Sequence, residues 1–173
     1  MLNALRRNSE KTRLVRSLYA ALTARARNPI FFRDFAVADT IDGRFDLVAL
    51  HAWLVLGRLS SAKLTDIAHA LSDAIFVGFD EALRDLGAGD MGLGRKIRQL
   101  GEAFNGRVQA YEAAVGETAL AASIVRNLYR GDSRRQDDAQ AIARYAIGAH
   151  ARLAACDPLT GTIDFGPLPE RRA

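Results

Sequence analysis

Residues 44–59 read RFDLVALHAWLVLGRL, and the expected architecture follows from this stretch. Its apolar residues occupy every side of a helix with about 3.6 residues per turn. A helix that is apolar nearly all round usually lies at the centre of a bundle. The stretch is shorter than the roughly 18–20 apolar residues that a membrane span requires, and it carries Asp46 and His51. We therefore predict a central, buried helix in a soluble protein.

Helical periodicity extends along the rest of the chain, and no segment alternates with period two for long enough to predict a strand. Asn28-Pro29 ends the first helix, because the residue before a proline is disfavoured in the helical region. The predicted helices cover about residues 9–27, 44–59, 62–86, 95–115, 117–129 and 134–155. The sequence thus predicts an all-α fold, a single compact bundle of about six helices.

Differences in composition along the chain predict three parts. The predicted parts are a basic N-terminal helix over residues 1–28, a helical domain over residues 29–156 and a flexible, extended C-terminal tail over residues 157–173. Between the first two long helices, residues 30–43 form an irregular crossing segment that carries Phe31, Phe32 and Phe35. We expect these rings to pack against the body, and an exposed docking patch is the alternative.

Positive charge is concentrated at the N-terminus. Residues 1–30 carry seven Lys or Arg side chains against one acid, Glu10, whereas the net charge of the whole chain is +4. Five of the cations define what we call the basic arm: Arg6, Arg7, Lys11, Arg13 and Arg16. A basic arm on a nearly neutral body is a contact surface for an anionic partner. Lipid head groups, nucleic acid and an acidic protein all fit, and charge alone does not choose among them.

The sequence contains no recognisable catalytic or metal-binding pattern. Residues 87–92 match the letters G-x-G-x-x-G, but that fingerprint acts after a strand and here a helix precedes it. His51, His69 and His150 fall in different predicted helices and have no partner at i+3 or i+4 with which to share a metal. We expect His51 to be a hydrogen-bonded core residue. The lone cysteine, Cys156, rules out an internal disulfide. The sequence predicts no enzyme activity, no cofactor and no metal.

Three blocks carry a resemblance to a known family. They are residues 39–54 (DTIDGRFDLVALHAWL), residues 76–90, and parts of residues 94–111. In this order they resemble the ubiquinol–cytochrome c chaperone family, over roughly residues 30–130. The resemblance implies a non-enzymatic assembly factor for ubiquinol–cytochrome c reductase, respiratory complex III. Mitochondrial members of the family act on newly made cytochrome b near the ribosome, with a small partner protein, and this chain looks like the compact bacterial type.

Partners and location are expectations from the same resemblance. They are a membrane-protein client, with cytochrome b suspected, and a ribosome or an anionic membrane surface that the basic arm would meet; DNA is not expected. The expected location is the cytoplasm, with peripheral association at the inner membrane left open. The apolar faces exceed what a six-helix body buries comfortably, so we predict a groove able to hold a client helix.

Charged residues around the connector between the third and fourth predicted helices are the candidate partner-binding residues. They are Asp80, Arg84, Asp90, Lys96 and Arg98. A local interpretation competes: Asp80 and Arg84 are spaced for an i,i+4 ion pair of about 0.2–0.5 kcal/mol, and Asp90 suits a helix N-cap.

Two other functions stay open at this point. One is a basic RNA- or ribosome-binding helical module with no client of its own. The other is a small-molecule-binding helical domain with a pocket beneath His51 and Trp53.

Overall fold

The computed structural model describes residues 2–85 and 90–171, without the side chains of residues 2–5, 85 and 90–93. The helices are α1 Leu2–Ala26, α2 Pro29–Arg33, α3 Ile41–Ser61, α4 Thr65–Asp85, α5 Asp90–Glu112, α6 Gly116–Leu128 and α7 Gln136–Ala155. Within the described ranges six helices are long, α2 has five residues, and no strand is present. The predicted all-α bundle of about six helices is therefore confirmed.

Helix α3 is the centre of the bundle. It contacts α1, α4, α5, α6 and α7, and every residue from Phe45 to Val55 is buried. Because neighbours cover all of its sides, no position along this segment requires a polar side chain. This burial is the physical reason for the apolar pattern, which only Asp46 and His51 interrupt between Phe45 and Val55, and the predicted central helix is confirmed.

The start of α3 depends on a close backbone approach. The Thr40 side chain caps the helix by accepting a hydrogen bond from the Gly43 backbone N–H at 3.2 Å. A Cβ atom on Gly43 would lie 2.0 Å from the carbonyl oxygen of Ala38. Glycine at this position therefore allows the crossing segment to lie directly against the first turn of α3.

The crossing segment is packed, as the sequence predicted for its phenylalanines. Phe31 and Phe35 are 0% and 1% exposed, and Phe32 is half-buried. The segment is not wholly irregular, because Asn28 caps the short helix α2 with its side chain. The Tyr129 hydroxyl donates to the Phe35 carbonyl at 2.7 Å and fastens the segment to the end of α6.

Helix α1 begins earlier than predicted. The expected start was near Ser9, but the helix begins at Leu2 and Ser9 lies exposed within it. No residue between positions 2 and 8 breaks a helix, so the capping potential of Ser9 is overridden. The second half of α1 packs on α3 and α4 through Val15, Leu18 and Leu22.

The C-terminal tail is extended, as predicted, but it packs on the bundle where the sequence suggested a flexible segment. Phe165 is only 6% exposed. Arg25 of α1 donates to the carbonyl oxygens of Gly166 and Pro167, at 2.6 and 2.7 Å. Arg152 of α7 forms an ion pair with Asp164 at 3.1 Å. The buried ring and these polar contacts hold residues 157–171 against α1 and α7.

Candidate partner-binding groove

An open groove of about 590 Å³ lies where the N-terminal end of α3 meets α4, α5, α6 and the loop after α6. Its apolar lining comes from three helices: Ile41, Phe45, Leu83, Leu100 and Ala103. Its charged lining has four cations and one acid: Lys96, Arg107, Arg126, Arg130 and Asp42. We call it the basic groove, because an apolar surface and an excess of positive charge meet in it.

A buried carboxylate organises two of these cations. Asp46 of α3 is 0% exposed, and its Oδ1 lies 2.5 Å from Arg107 Nε. Its Oδ2 lies 2.6 Å from Arg130 Nη1. Burial raises the pKa of Asp46 above its ordinary value, and the two guanidinium groups oppose that shift. The carboxylate therefore holds Arg107 and Arg130 at the groove by charge.

Arg107 is fixed from several directions. Its Nη1 donates to the Ala103 carbonyl at 3.1 Å, and its guanidinium carbon lies 4.9 Å from the centre of the Phe45 ring. Its side chain is 17% exposed, so only one edge of the guanidinium group reaches solvent. Arg107 thus joins α5 to α3 and leaves a limited positive surface in the groove.

The other two cations of the groove, Lys96 and Arg126, differ from Arg107 and Arg130 in their ion pairing. Lys96 and Arg126 are exposed, and neither makes an ion pair with any residue in the described part of the chain. Their charge is available to a partner, whereas that of Arg107 and Arg130 is partly neutralised by Asp46. Lys96 and Arg126 therefore present the uncompensated charge in the basic groove.

The apolar surface continues beyond the groove. Ile41 and Phe45 also line a cleft of about 370 Å³ between α1, α3 and α4, together with Phe79 and Ile75. Ile41 is 49% exposed at the junction of the two cavities. An apolar path therefore runs from the basic groove across the start of α3 towards α1.

The structure separates the residues that the sequence grouped as one candidate site. Lys96 lines the basic groove, whereas Arg98 is exposed on α5 and is not part of its lining. Asp80 and Arg84 form the local ion pair on α4, with Oδ2 and Nε 2.8 Å apart. The Asp90 side chain lies outside the described residues, as do residues 87–89 of the G-x-G-x-x-G segment.

Sequence reasoning missed Asp46, Arg107, Arg126 and Arg130 as members of the site. A signal existed for Asp46, because a lone carboxylate within an apolar stretch needs a buried cationic partner. The identity of that partner was not readable, since Arg107 lies 61 positions further along the chain.

The basic arm borders a second cavity, of about 930 Å³. The basic cleft, as we call it, lies between α1, the turn from α3 to α4, and the start of the C-terminal tail. Its cations are Arg7, Lys11, Arg13 and Lys63. Of the other two cations of the basic arm, Arg6 pairs with Glu10 at 3.1 Å and Arg16 is exposed outside the cleft lining.

His51 is a hydrogen-bonded core residue, as the sequence predicted. It is 0% exposed, with Nδ1 2.7 Å from the Leu47 carbonyl oxygen and Nε2 2.8 Å from the Tyr145 hydroxyl. Because a carbonyl only accepts, Nδ1 carries the hydrogen and Nε2 accepts from Tyr145. Arg25 Nε in turn donates to the Tyr145 hydroxyl at 3.0 Å. Burial, with a smaller effect from Arg25, lowers the pKa of His51 to about 4.

Side chains fill the region where the sequence left a small-molecule pocket open. The rings of Phe31 and Phe165 lie edge-on to His51 at 5.5 and 5.4 Å. Trp53 is 8% exposed, and its Nε1 donates to Glu112 at 2.8 Å.

Within the described ranges, no group of three or more His, Cys, Asp or Glu side chains is arranged to hold a metal ion. None of the helices described has the length and apolar character needed to cross a bilayer.

These features define the class of protein: a helical bundle with a packed, mainly apolar core and an open groove that combines apolar and cationic surface. The family model described as ubiquinol–cytochrome c chaperone matches residues 33–159, and the chain belongs to that family. The predicted family resemblance is confirmed, and membership supports a role as an assembly factor for ubiquinol–cytochrome c reductase.

A solved structure has the same fold. The crystal structure of the Cbp3 homolog from Brucella abortus matches with a TM-score of 0.85 and 30% sequence identity. The match covers 96% of this chain and 97% of that chain. No curated protein sequence matches the chain.

Proposed function

We propose that the chain is a non-enzymatic chaperone for the assembly of ubiquinol–cytochrome c reductase, and that it holds cytochrome b in the basic groove before this client enters the complex. One observation carries the proposal: all residues that line the groove fall within the 33–159 range of the family match. The groove therefore lies within the part of the chain that the family model matches. The proposed place of action is the cytoplasmic side of the inner membrane.

The groove has the physical properties that a client helix needs. A membrane protein outside the bilayer exposes apolar helix faces, and covering such a face in an apolar groove removes it from water. The half-buried Leu83 and Leu100 offer that cover, and Ile41 extends it towards the neighbouring cleft. The cations Lys96 and Arg126 select a client segment that carries carboxylates beside its apolar face, since opposite charges align the two surfaces.

Site-specific photocrosslinking tests this proposal. A photoreactive residue at Gln99, which lines the groove, is compared with one at Gln109, which is exposed on the same helix outside the lining. Crosslinks from native membranes are identified by mass spectrometry. We expect cytochrome b crosslinked through position 99 and little through position 109. Equal crosslinking at both positions would refute the groove as the binding site.

Reversing the charge of the groove is a second test of the proposal. Lys96→Glu combined with Arg126→Glu should reduce the recovered cytochrome b at least tenfold, because two attractive charges become repulsive. Arg95→Glu with Arg98→Glu changes the net charge equally on exposed positions of α5 outside the groove, and should leave recovery unchanged. Recovery of ribosomal proteins and RNA without cytochrome b would replace the proposal with the ribosome-binding alternative.

A further inference from the structure

The basic cleft combines charge from distant parts of the chain. Arg7, Lys11 and Arg13 come from α1, and Lys63 comes from the turn between α3 and α4. None of these four side chains makes an ion pair with a described residue, whereas the acidic lining is limited to Glu10 and Asp66. The cleft therefore carries a local excess of uncompensated positive charge.

The backbone at Lys63 is held in a conformation that favours glycine. Its φ is +59°, in the left-handed region. The Lys63 N–H donates to the Ser60 carbonyl at 2.9 Å, and the Leu64 N–H donates to the Leu59 carbonyl at 2.9 Å. This pair of bonds is a Schellman motif with Lys63 at the residue where glycine is usual. A lysine at this position has a less favourable backbone energy than glycine would have. Its ammonium group adds a positive charge to the cleft.

An apolar side chain stands beside these cations. Leu159 lines the cleft and is 56% exposed. The tail that carries it is fixed to α1, because the Ser17 hydroxyl donates to the Gly161 carbonyl at 2.8 Å. An exposed apolar side chain beside cations suits a lipid interface, because it can leave water while the cations meet anionic head groups.

We infer that the basic cleft docks the chain on an anionic membrane surface, where Arg7, Lys11, Arg13 and Lys63 bind lipid phosphate groups and Leu159 enters the interface. The chemistry favours lipid over RNA. Proteins that bind single-stranded RNA stack its bases on aromatic rings, and no aromatic residue is among the described residues that line the cleft. The inference does not depend on the proposed client site, because the cleft and the basic groove have no lining residue in common.

Vesicle co-sedimentation of the full chain tests the inference without any client. The probes are vesicles of phosphatidylcholine and phosphatidylglycerol in equal amounts, with pure phosphatidylcholine vesicles as the neutral reference. We expect binding to the anionic vesicles that weakens as salt is added and persists in the presence of inorganic phosphate. Equal binding to both vesicle types, or none to either, overturns the inference.

Lys63→Gly is the discriminating variant. It removes one charge but gives the backbone the residue that its φ favours, so the melting temperature should stay the same or rise. Membrane partitioning should fall about fivefold, the effect of roughly 1 kcal/mol per surface cation. Undiminished vesicle binding by this variant overturns the role of Lys63.

Three charge-reversed pairs complete the design. Arg13→Glu with Lys63→Glu should abolish most vesicle binding, whereas Arg95→Glu with Arg98→Glu should retain it. Lys96→Glu with Arg126→Glu, the groove variant, should also retain it, so that failure of membrane docking and failure of client capture are separate results. If the cleft variant instead lost RNA binding and kept vesicle binding, an RNA surface would replace the membrane surface.

Discussion

Arg107 Nε lies 2.5 Å from the carboxylate of Asp46, which is fully buried in the central helix. The contact joins α3 to α5 at the edge of the groove, and the same guanidinium group covers the Phe45 ring. One side chain thus compensates a buried charge, shields an apolar ring and shapes the proposed client site. Stability and binding are coupled at this residue.

Arg107→Ala should destabilise the protein strongly. Removing one partner of a buried ion pair leaves an incompletely compensated charge, which costs roughly 3–5 kcal/mol, and the remaining Arg130 contact places the expected loss near the lower value. Urea unfolding measures the change. Arg95→Ala, an exposed position on the same helix, should change stability by less than about 0.5 kcal/mol. A small loss at Arg107 would show that Asp46 is solvated or protonated in the native state.

Gly43→Ala and Gly57→Ala should have opposite effects, although both replace a glycine of α3. A Cβ at position 43 would meet the Ala38 carbonyl at 2.0 Å, and the required shift of the crossing segment should cost about 1–3 kcal/mol. At position 57 nothing lies within 4 Å, so alanine should stabilise the helix by about 0.5–1 kcal/mol. Thermal melts give the change in melting temperature of each variant. Changes of the same sign in both variants would contradict the close approach of the Ala38 carbonyl to Gly43.

Trp53→Ala should cost roughly 3–5 kcal/mol, the usual loss for a large buried ring. Trp53 packs against Tyr111 with ring centres 5.8 Å apart. Trp53→Phe is the matched control, since it keeps an aromatic ring but loses the hydrogen bond to Glu112, worth about 1 kcal/mol. Chemical denaturation compares the two. An unchanged midpoint for the alanine variant would mean that the indole contributes no packing.

His51 should make stability depend on pH in a defined window. Its pKa is about 4 in the folded protein and 6.5 in the unfolded chain, so the unfolded state binds more protons between these values. The contribution of His51 is therefore fully present above pH 6.5 and is lost as the pH falls towards 4. The full loss amounts to about 3 kcal/mol.

Measurement of the free energy of unfolding from pH 7.5 down to 4.5 tests this assignment. His51→Gln removes the titrating group, so its stability should vary much less across the same window. The carboxyl groups of Asp39, Asp132 and Asp164 have pKa values below their ordinary range, and they act at lower pH. Identical pH profiles for the variant and the parent protein would exclude His51 as the source.

The sequence predicted the helical architecture well, because a nearly continuous apolar stretch indicates the burial of α3. The position of His51 in the core followed from the same stretch. The contacts of the groove could not be predicted in this way. Arg107 and Asp46 are 61 positions apart, and their pairing depends on how α5 crosses α3, which local periodicity does not specify.

Helix geometry alone separates two of the candidate residues. Lys96 and Arg98 are two positions apart, which places them about 200° apart around a helix. They therefore cannot line one groove, and the structure places only Lys96 there. The packed tail was harder to foresee, since its prolines and glycines are typical of loose segments, yet Phe165, Pro158 and Pro169 are buried there.

The contacts of that tail join the two ends of the sequence. Ser17 meets Gly161 across 144 positions, and Arg25 meets Gly166 across 141 positions. A growing chain cannot form these contacts until residues 161–167 have left the ribosome. Helix α1 must therefore wait for a segment that is made more than 130 residues later, and a protein shortened at Cys156 would leave His51 without its Phe165 cover and Arg25 without two acceptors.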